Sequence, residues 1–185
     1  MHVIALIALV VFWFAWGYPF LFRSPHNQKR HSVTVLAPTR MGLLLEGSAI
    51  FMAFAFRLSP DTPPGELRLI PAFILGPIAA ALSWTAVKHL GRQFRVHAGL
   101  YDDHEMVTTG PYAIVRHPIY TSLLAMLLCS LLILTPWEWA VVAVILFIIG
   151  TEIRVRTEDK LLASRFGEEF EAYRKKVRAY VPFVR

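Results

Sequence analysis

The chain has 185 residues, 56% of them hydrophobic, a formal net charge of +6 and one cysteine, and its mean hydropathy is +0.49. Soluble domains lie nearer ~45–50% apolar, so the composition excludes an ordinary soluble domain and indicates a membrane protein. The lone Cys129 excludes an intramolecular disulfide framework and a cysteine-based zinc cluster.

Five apolar stretches approach or exceed the length that crosses a ~30 Å hydrocarbon layer. The first, 3–22 (VIALIALVVFWFAWGYPFLF), has no basic leader and no small-residue cleavage site after it, and it reads as a retained anchor rather than a signal peptide. The second, 41–58, carries Glu46 inside the apolar run. Such a carboxylate pairs within the bundle, lines an acceptor pocket, or serves as a coupling group in a transporter. The third, 69–87, follows a Pro-rich turn, SPDTPPGE. The fourth and fifth, 119–135 and 137–153, are separated only by Pro136 and predict a tight antiparallel hairpin, with Cys129 as a small packing residue in mid-span.

Every Lys and Arg except Arg57 and Arg68 falls within 22–40, within 88–118, or from 154 onward. The excess of positive charge on the cytoplasmic side of membrane proteins then predicts an external N-terminus and a cytoplasmic C-terminus. The positive charge has a membrane explanation and implies no nucleic-acid partner. Beyond 154, Leu162, Phe166, Phe170, Tyr173 and Val177 form an apolar stripe at helical spacing, with charged residues between them. This predicts an amphipathic helix at the headgroup level, bent at Gly167 and closed by Pro182, its basic face toward anionic lipid. With no repeat or flexible linker, the chain reads as one all-α domain, 1–185, without β-sheet. Membrane spans make up 1–87, and a polar, chemistry-bearing part makes up 88–185.

Two clusters mark the cytoplasmic boundary. Arg154 and Glu158 are four apart and share a helix face where the fifth span leaves the hydrocarbon. Glu152, Arg156 and Asp159 crowd the same boundary, where ionisable groups are costly unless they face a cavity or one another. The second cluster is GPYAIVRHPIY, residues 110–120. Pro118 removes an N–H and forces His117 out of helical backbone space, so the fourth span starts at or after it. Arg116 and the unsatisfied N–H groups of that helix start make a place for a carboxylate, flanked by Tyr112 and Tyr120.

GPYAIVRHPIY, then two spans, then RVRTEDKLLASRFGEEFEAYRKKV and a terminal VP, resembles the isoprenylcysteine carboxyl methyltransferase family and its phospholipid methyltransferase relatives. The resemblance covers residues 88–184 and implies an integral membrane enzyme using S-adenosylmethionine. It implies a cofactor site at His104, Val107, Gly110, Tyr112, Arg116, His117, Pro118, Tyr120 and Glu158, with Arg154 and Glu158 as the catalytic pair. The family's second acid is Asp159 here, in place of glutamate, and the G-x-G element of the phospholipid N-methylating relatives is absent. The implied acceptor is lipophilic and drawn from the bilayer.

The residues themselves are compatible with this. No G-x-G-x-x-G follows a strand, so a Rossmann pocket is absent. A carboxylate acceptor needs only alignment for in-line attack, for which Arg154 is the candidate. An amine or hydroxyl acceptor, as in lipid N- or O-methylation, needs a proton acceptor, and Glu158 or His117 are the options. His89, His97, His104 and His117 share one loop region without H-x-x-x-H or H-E-x-x-H spacing, so no metal is expected. A transporter subunit or membrane scaffold is the non-enzymatic alternative.

Overall fold

Each of the five apolar stretches is carried by a helix in the computed structural model, with 41–58 and 119–135 running past the helix ends at Ala55 and Leu134. The structure describes residues 2–22, 32–34, 36–59, 62–93, 99–101 and 105–181. The helices are α1 (His2–Phe22), α2 (Leu36–Ala55), α3 (Glu66–Leu90), α4 (Pro118–Leu134), α5 (Trp137–Phe166) and α6 (Glu168–Lys176). The punctuation is local. Pro118 occupies the first turn of α4, where a missing N–H costs nothing. Gly167, at φ 52, supplies the left-handed residue that ends α5 and starts α6, at the expected bend. Pro182 and His104 lie outside the described residues.

The expectation of no β-sheet is corrected. β1 (Ser32–Thr34) and β2 (Gly99–Tyr101) pair antiparallel, Ser32 opposite Tyr101 and Thr34 opposite Gly99. Three residues on each side are too few for a periodic signal, and neither segment can pair until the helices between them have folded.

The expected hairpin of α4 and α5 is also not the main packing unit. Although only Thr135 and Pro136 separate them, α4 packs chiefly on α3 and α5 chiefly on α2. Small residues decide this. A Cβ on Gly42 would meet the Gly150 carbonyl oxygen at 2.8 Å, and one on Gly150 would meet that of Gly42 at 2.7 Å, so the backbones of α2 and α5 touch where neither has a side chain. Ala49, Ala53, Ala140 and Ala143 continue the contact, with Phe147, Leu127 and Leu131 filling the space beside it.

A second core joins α1, α3 and α4 through Leu9, Ala72, Ala79, Met126, Cys129 and Ile133. Polar side chains lock its register: Trp13 Nε1 donates to Ser130 Oγ and Trp16 Nε1 to Ser122 Oγ, both at 3.0 Å. Arg68 is no loop charge. Its guanidinium donates to the carbonyls of Leu131 (2.8 Å) and Thr135, capping the C-terminal end of α4, and lies 4.6 Å from the Trp137 ring centroid.

Apolar side chains remain outside. Val3, Ile7, Val10 and Phe14 stand out from α1, and Val141, Val142, Ile145, Ile148 and Ile149 form an exposed helical stripe on α5. By length and apolar composition, Val3–Leu21 and Glu66–Leu90 are sufficient to cross a membrane. α5, with 30 residues, is ~45 Å long and extends well past a ~30 Å layer. Its charged C-terminal third leads to the site.

Candidate functional site

The segment before α4 is held at several points. Gly110 adopts φ 61, and a side chain there would collide with the imidazole of His89, so glycine is required both by conformation and by space. Gly110–Ala113 form one 3-10 turn, which buries Tyr112. The Tyr112 carbonyl accepts from Tyr173 Oη at 2.5 Å, tying the turn to α6. Burial pushes the phenols of Tyr112 and Tyr173 up, Tyr173 to about 12. Val107 lies half-buried ahead of the turn.

The chain after α6 docks along the same segment. Arg116 N donates to Arg178 O at 2.7 Å and His117 N to Ala179 O at 2.8 Å, beside a parallel bridge of Val115 with Arg178. Thr121 Oγ1 donates to Tyr180 O at 2.6 Å. The N–H groups of Tyr120 and Thr121 return to His117 O. Much of the donor capacity that the sequence assigns to an incoming carboxylate is therefore taken by the chain itself.

Arg116 is similarly engaged. Its Nη2 donates to Asp159 Oδ2 at 2.8 Å, and its Nη1 to the carbonyls of Val177 and Arg174. It is buried and holds the tail against α5.

His117 sits between two carboxylates, with Nε2 2.9 Å from Asp159 Oδ1 and Nδ1 3.3 Å from Glu158 Oε2. Burial alone would depress an imidazole, but hydrogen bonds to Asp159 and Glu158 prevail and raise it to about 9. His117 is thus an imidazolium at neutral pH, both nitrogens donating. Burial pushes Glu158 and Asp159 up, but the His117 contacts outweigh it and hold both below the usual carboxylate range, with Arg116 assisting at Asp159 and Arg154 at Glu158.

From Glu158 the network continues. Tyr120 Oη donates to Glu158 Oε1, and Arg154 Cζ lies 4.8 Å from the centroid of the Tyr120 ring. Arg154 Nη1 donates to Glu46 Oε2 at 2.6 Å, and Thr151 Oγ1 to Glu46 Oε1 at 2.9 Å. Arg116, Asp159, His117, Glu158, Tyr120, Arg154 and Glu46 thus form one continuous chain. All are buried except Glu158, whose side chain keeps 24% of its surface exposed.

The sequence named Arg116, His117, Pro118, Tyr120, Arg154 and Glu158, and the fold brings them together. It assigned no role to Asp159, which joins Arg116 to His117, and it missed Thr151 and Tyr173. The signals for Asp159 were its place among the charges crowding that boundary and its position as the family's second acid next to Glu158. Among the described residues, no group of three His, Cys, Asp or Glu side chains is arranged to hold a metal ion.

The profile of the isoprenylcysteine carboxyl methyltransferase family matches residues 70–164, more than half of the chain. The chain belongs to this family. Its match begins inside α3, so part of the third apolar stretch carries more family signal than its hydropathy, and it ends before α6. A protein-S-isoprenylcysteine O-methyltransferase of Schizosaccharomyces pombe is 34% identical over 82 residues, 44% of this chain and 35% of that protein. Protein-S-isoprenylcysteine O-methyltransferase B of Arabidopsis thaliana is 32% identical over 114 residues, 60% of this chain and 56% of its own. A probable protein-S-isoprenylcysteine O-methyltransferase of Oryza sativa subsp. indica is 29% identical over 116 residues, 60% of this chain and 58% of its own. These matches span between about a third and three fifths of the relatives' length.

Proposed function

We propose that this family member methylates the carboxylate of a lipophilic acceptor, such as an isoprenylated cysteine, with S-adenosylmethionine as donor. The observation that carries the reading is the linked pair Glu158 and Arg154, one helical turn apart and connected through Tyr120. Glu158, the partly open carboxylate of the network, suits the cofactor's hydroxyl or ammonium groups. Tyr120 and His117 hold it in one rotamer. Val107, Gly110, Tyr112, Arg116 and Pro118 lie on the segment leading into α4 beside this network. With His104, which enters through the family resemblance alone, they would hold the cofactor, which when bound supplies an electrophilic methyl group on a sulfonium.

Arg154 is the residue for the acceptor. Glu46 and the Tyr120 ring fix its guanidinium, so little freedom is lost when an anion approaches. The protonation states favour a carboxylate acceptor. His117 is already an imidazolium, and Glu158 is held below the ordinary range, so neither is a useful proton acceptor at neutral pH. An amine needs one and a carboxylate does not. This argues against the His117 base considered for lipid N- or O-methylation.

In the same reading all five apolar helices cross the bilayer, with the exposed stripes of α1 and α5 toward lipid. The N-terminus is then external, and the site, α6 and the C-terminal tail are cytoplasmic. The lower hydropathy of α2 and α5 comes from Arg40 and Glu46 in one and the charged final third of the other.

The test is to incubate purified protein with methyl-labelled cofactor, S-farnesylcysteine and a membrane lipid extract. Label released as methanol by mild alkali identifies a carboxyl methyl ester. Alkali-stable label in phospholipid headgroups would instead identify lipid N-methylation and overturn the proposal.

A further inference from the structure

On the far side of α5 from Arg154 and Glu158 lies a cavity of about 400 Å³, lined by Arg116, Arg156, Lys160, Arg174, Arg178 and Asp159. Arg156, Lys160 and Ala163 face it from α5. At ~100° per residue they lie opposite Thr151, Arg154 and Glu158, so the cavity and the proposed acceptor side are separate. Asp159 lines the cavity and bonds to His117 behind it.

Five of the lining residues are cations, and the one carboxylate, Asp159, is already committed to Arg116 and His117. Arg156 pairs with Glu152 and Arg174 with Glu171, each at 2.7 Å. Lys160 and Arg178 have no carboxylate partner among the described residues, and the buried Nε of Arg116 has no hydrogen-bond partner there. A concave site lined by five cations and one carboxylate, with Lys160 and Arg178 left unbalanced, suits a compact oxyanion.

Its depth indicates the source. Lys160 follows the end of the apolar run at 153 by about 10 Å of helix, the level of the polar headgroup layer when α5 is read as a membrane span. We propose that this cavity between α5 and the tail is a phosphate-binding site, occupied by the phosphodiester headgroup of an anionic phospholipid. Arg156, Lys160, Arg174 and Arg178 surround the phosphate, and Arg116 forms the floor. An occupied site clamps the tail against α5, and the same tail holds Arg116 and His117 through the carbonyls of Arg178 and Ala179.

The phosphate chemistry is independent of the proposed methyl transfer, and only its lipid source rests on the membrane reading. Native mass spectrometry of the full chain in mild detergent, with added phosphatidylglycerol or phosphatidylcholine, tests it. The wild-type chain should retain phosphatidylglycerol about tenfold more tightly, and Lys160→Gln/Arg178→Gln should lose that preference. Arg178→Lys should keep most of it. Lys175→Gln, an exposed tail cation outside the cavity, should be indistinguishable from wild type. Displacement of the lipid by millimolar inorganic phosphate would support the phosphate site and identify free phosphate as a competent occupant. Retention of the lipid against phosphate would support a headgroup as occupant. Equal retention of both lipids, or equal losses in the Lys175 and the double variant, would overturn the site in favour of diffuse surface charge.

Discussion

Glu46 of α2 and Arg154 of α5 form a buried ion pair, 2.6 Å from Oε2 to Nη1, at the point where Gly42 and Gly150 let the two helices touch. The pair joins α2 to the proposed acceptor residue on α5, and its consequences are measurable.

Removing Glu46 should be costly, because it leaves a buried guanidinium without its anion. Glu46→Ala is expected to destabilise the protein by about 3–5 kcal/mol. Replacing both partners by apolar residues, Glu46→Leu with Arg154→Met, should recover much of that loss while leaving methyl transfer inactive. Thermal melting of the three variants in one detergent decides it, and a double variant no more stable than Glu46→Ala would contradict the pairing.

Binding and turnover should separate along α5. Arg154→Ala is expected to lower turnover by on the order of tenfold or more with cofactor affinity nearly intact, the signature of lost acceptor alignment. Arg154→Lys should rescue poorly, since an ammonium reproduces neither a planar fork to a carboxylate nor the contact with the Tyr120 ring. Glu158→Ala and His117→Ala should instead lose cofactor affinity. Tyr120→Phe should weaken it roughly fivefold by releasing Glu158 from one hydrogen bond. Calorimetry beside steady-state kinetics reads both quantities, and the reverse pattern would show the pair to be assigned backwards.

Stability should fall as pH rises above neutrality. His117 is raised from its ordinary value to about 9, so the stability it adds is complete below ~pH 6.5 and is lost as pH climbs through 9. Glu158 and Asp159 are held low, so their contribution is present above ~pH 4–5 and fades only as pH falls through their depressed range. The melting temperature should therefore drop by several degrees between pH 7 and pH 10. The slope of that drop should flatten in His117→Gln, and an unchanged slope would place the titrating group elsewhere.

The proposed topology sets residue 30 and residue 175 on the same side of the membrane. With the buried Cys129 replaced by Ala, single cysteines at Arg30 and Lys175 should react with an impermeant thiol reagent only after vesicles are opened from the cytoplasmic side. Labelling on opposite sides would remove the five-span arrangement.

Local chemistry alone determined the helices of this protein and the residues gathered at its polar end. Apolar runs, the proline opening α4 and the glycine ending α5 act within a few residues of themselves, so they are legible in one dimension. The same holds for Arg154 and Glu158, which share a face by spacing alone. Partnership was not legible. Arg154 meets Glu46 across 108 positions, Arg116 meets Asp159 across 43, and Tyr173 meets Tyr112 across 61. Only tertiary structure decided those pairs, because each depends on which helix faces which. That choice was made by the small residues of α2 and α5 and by a tail that docks on the start of α4 through backbone hydrogen bonds, which almost any side chains there would permit.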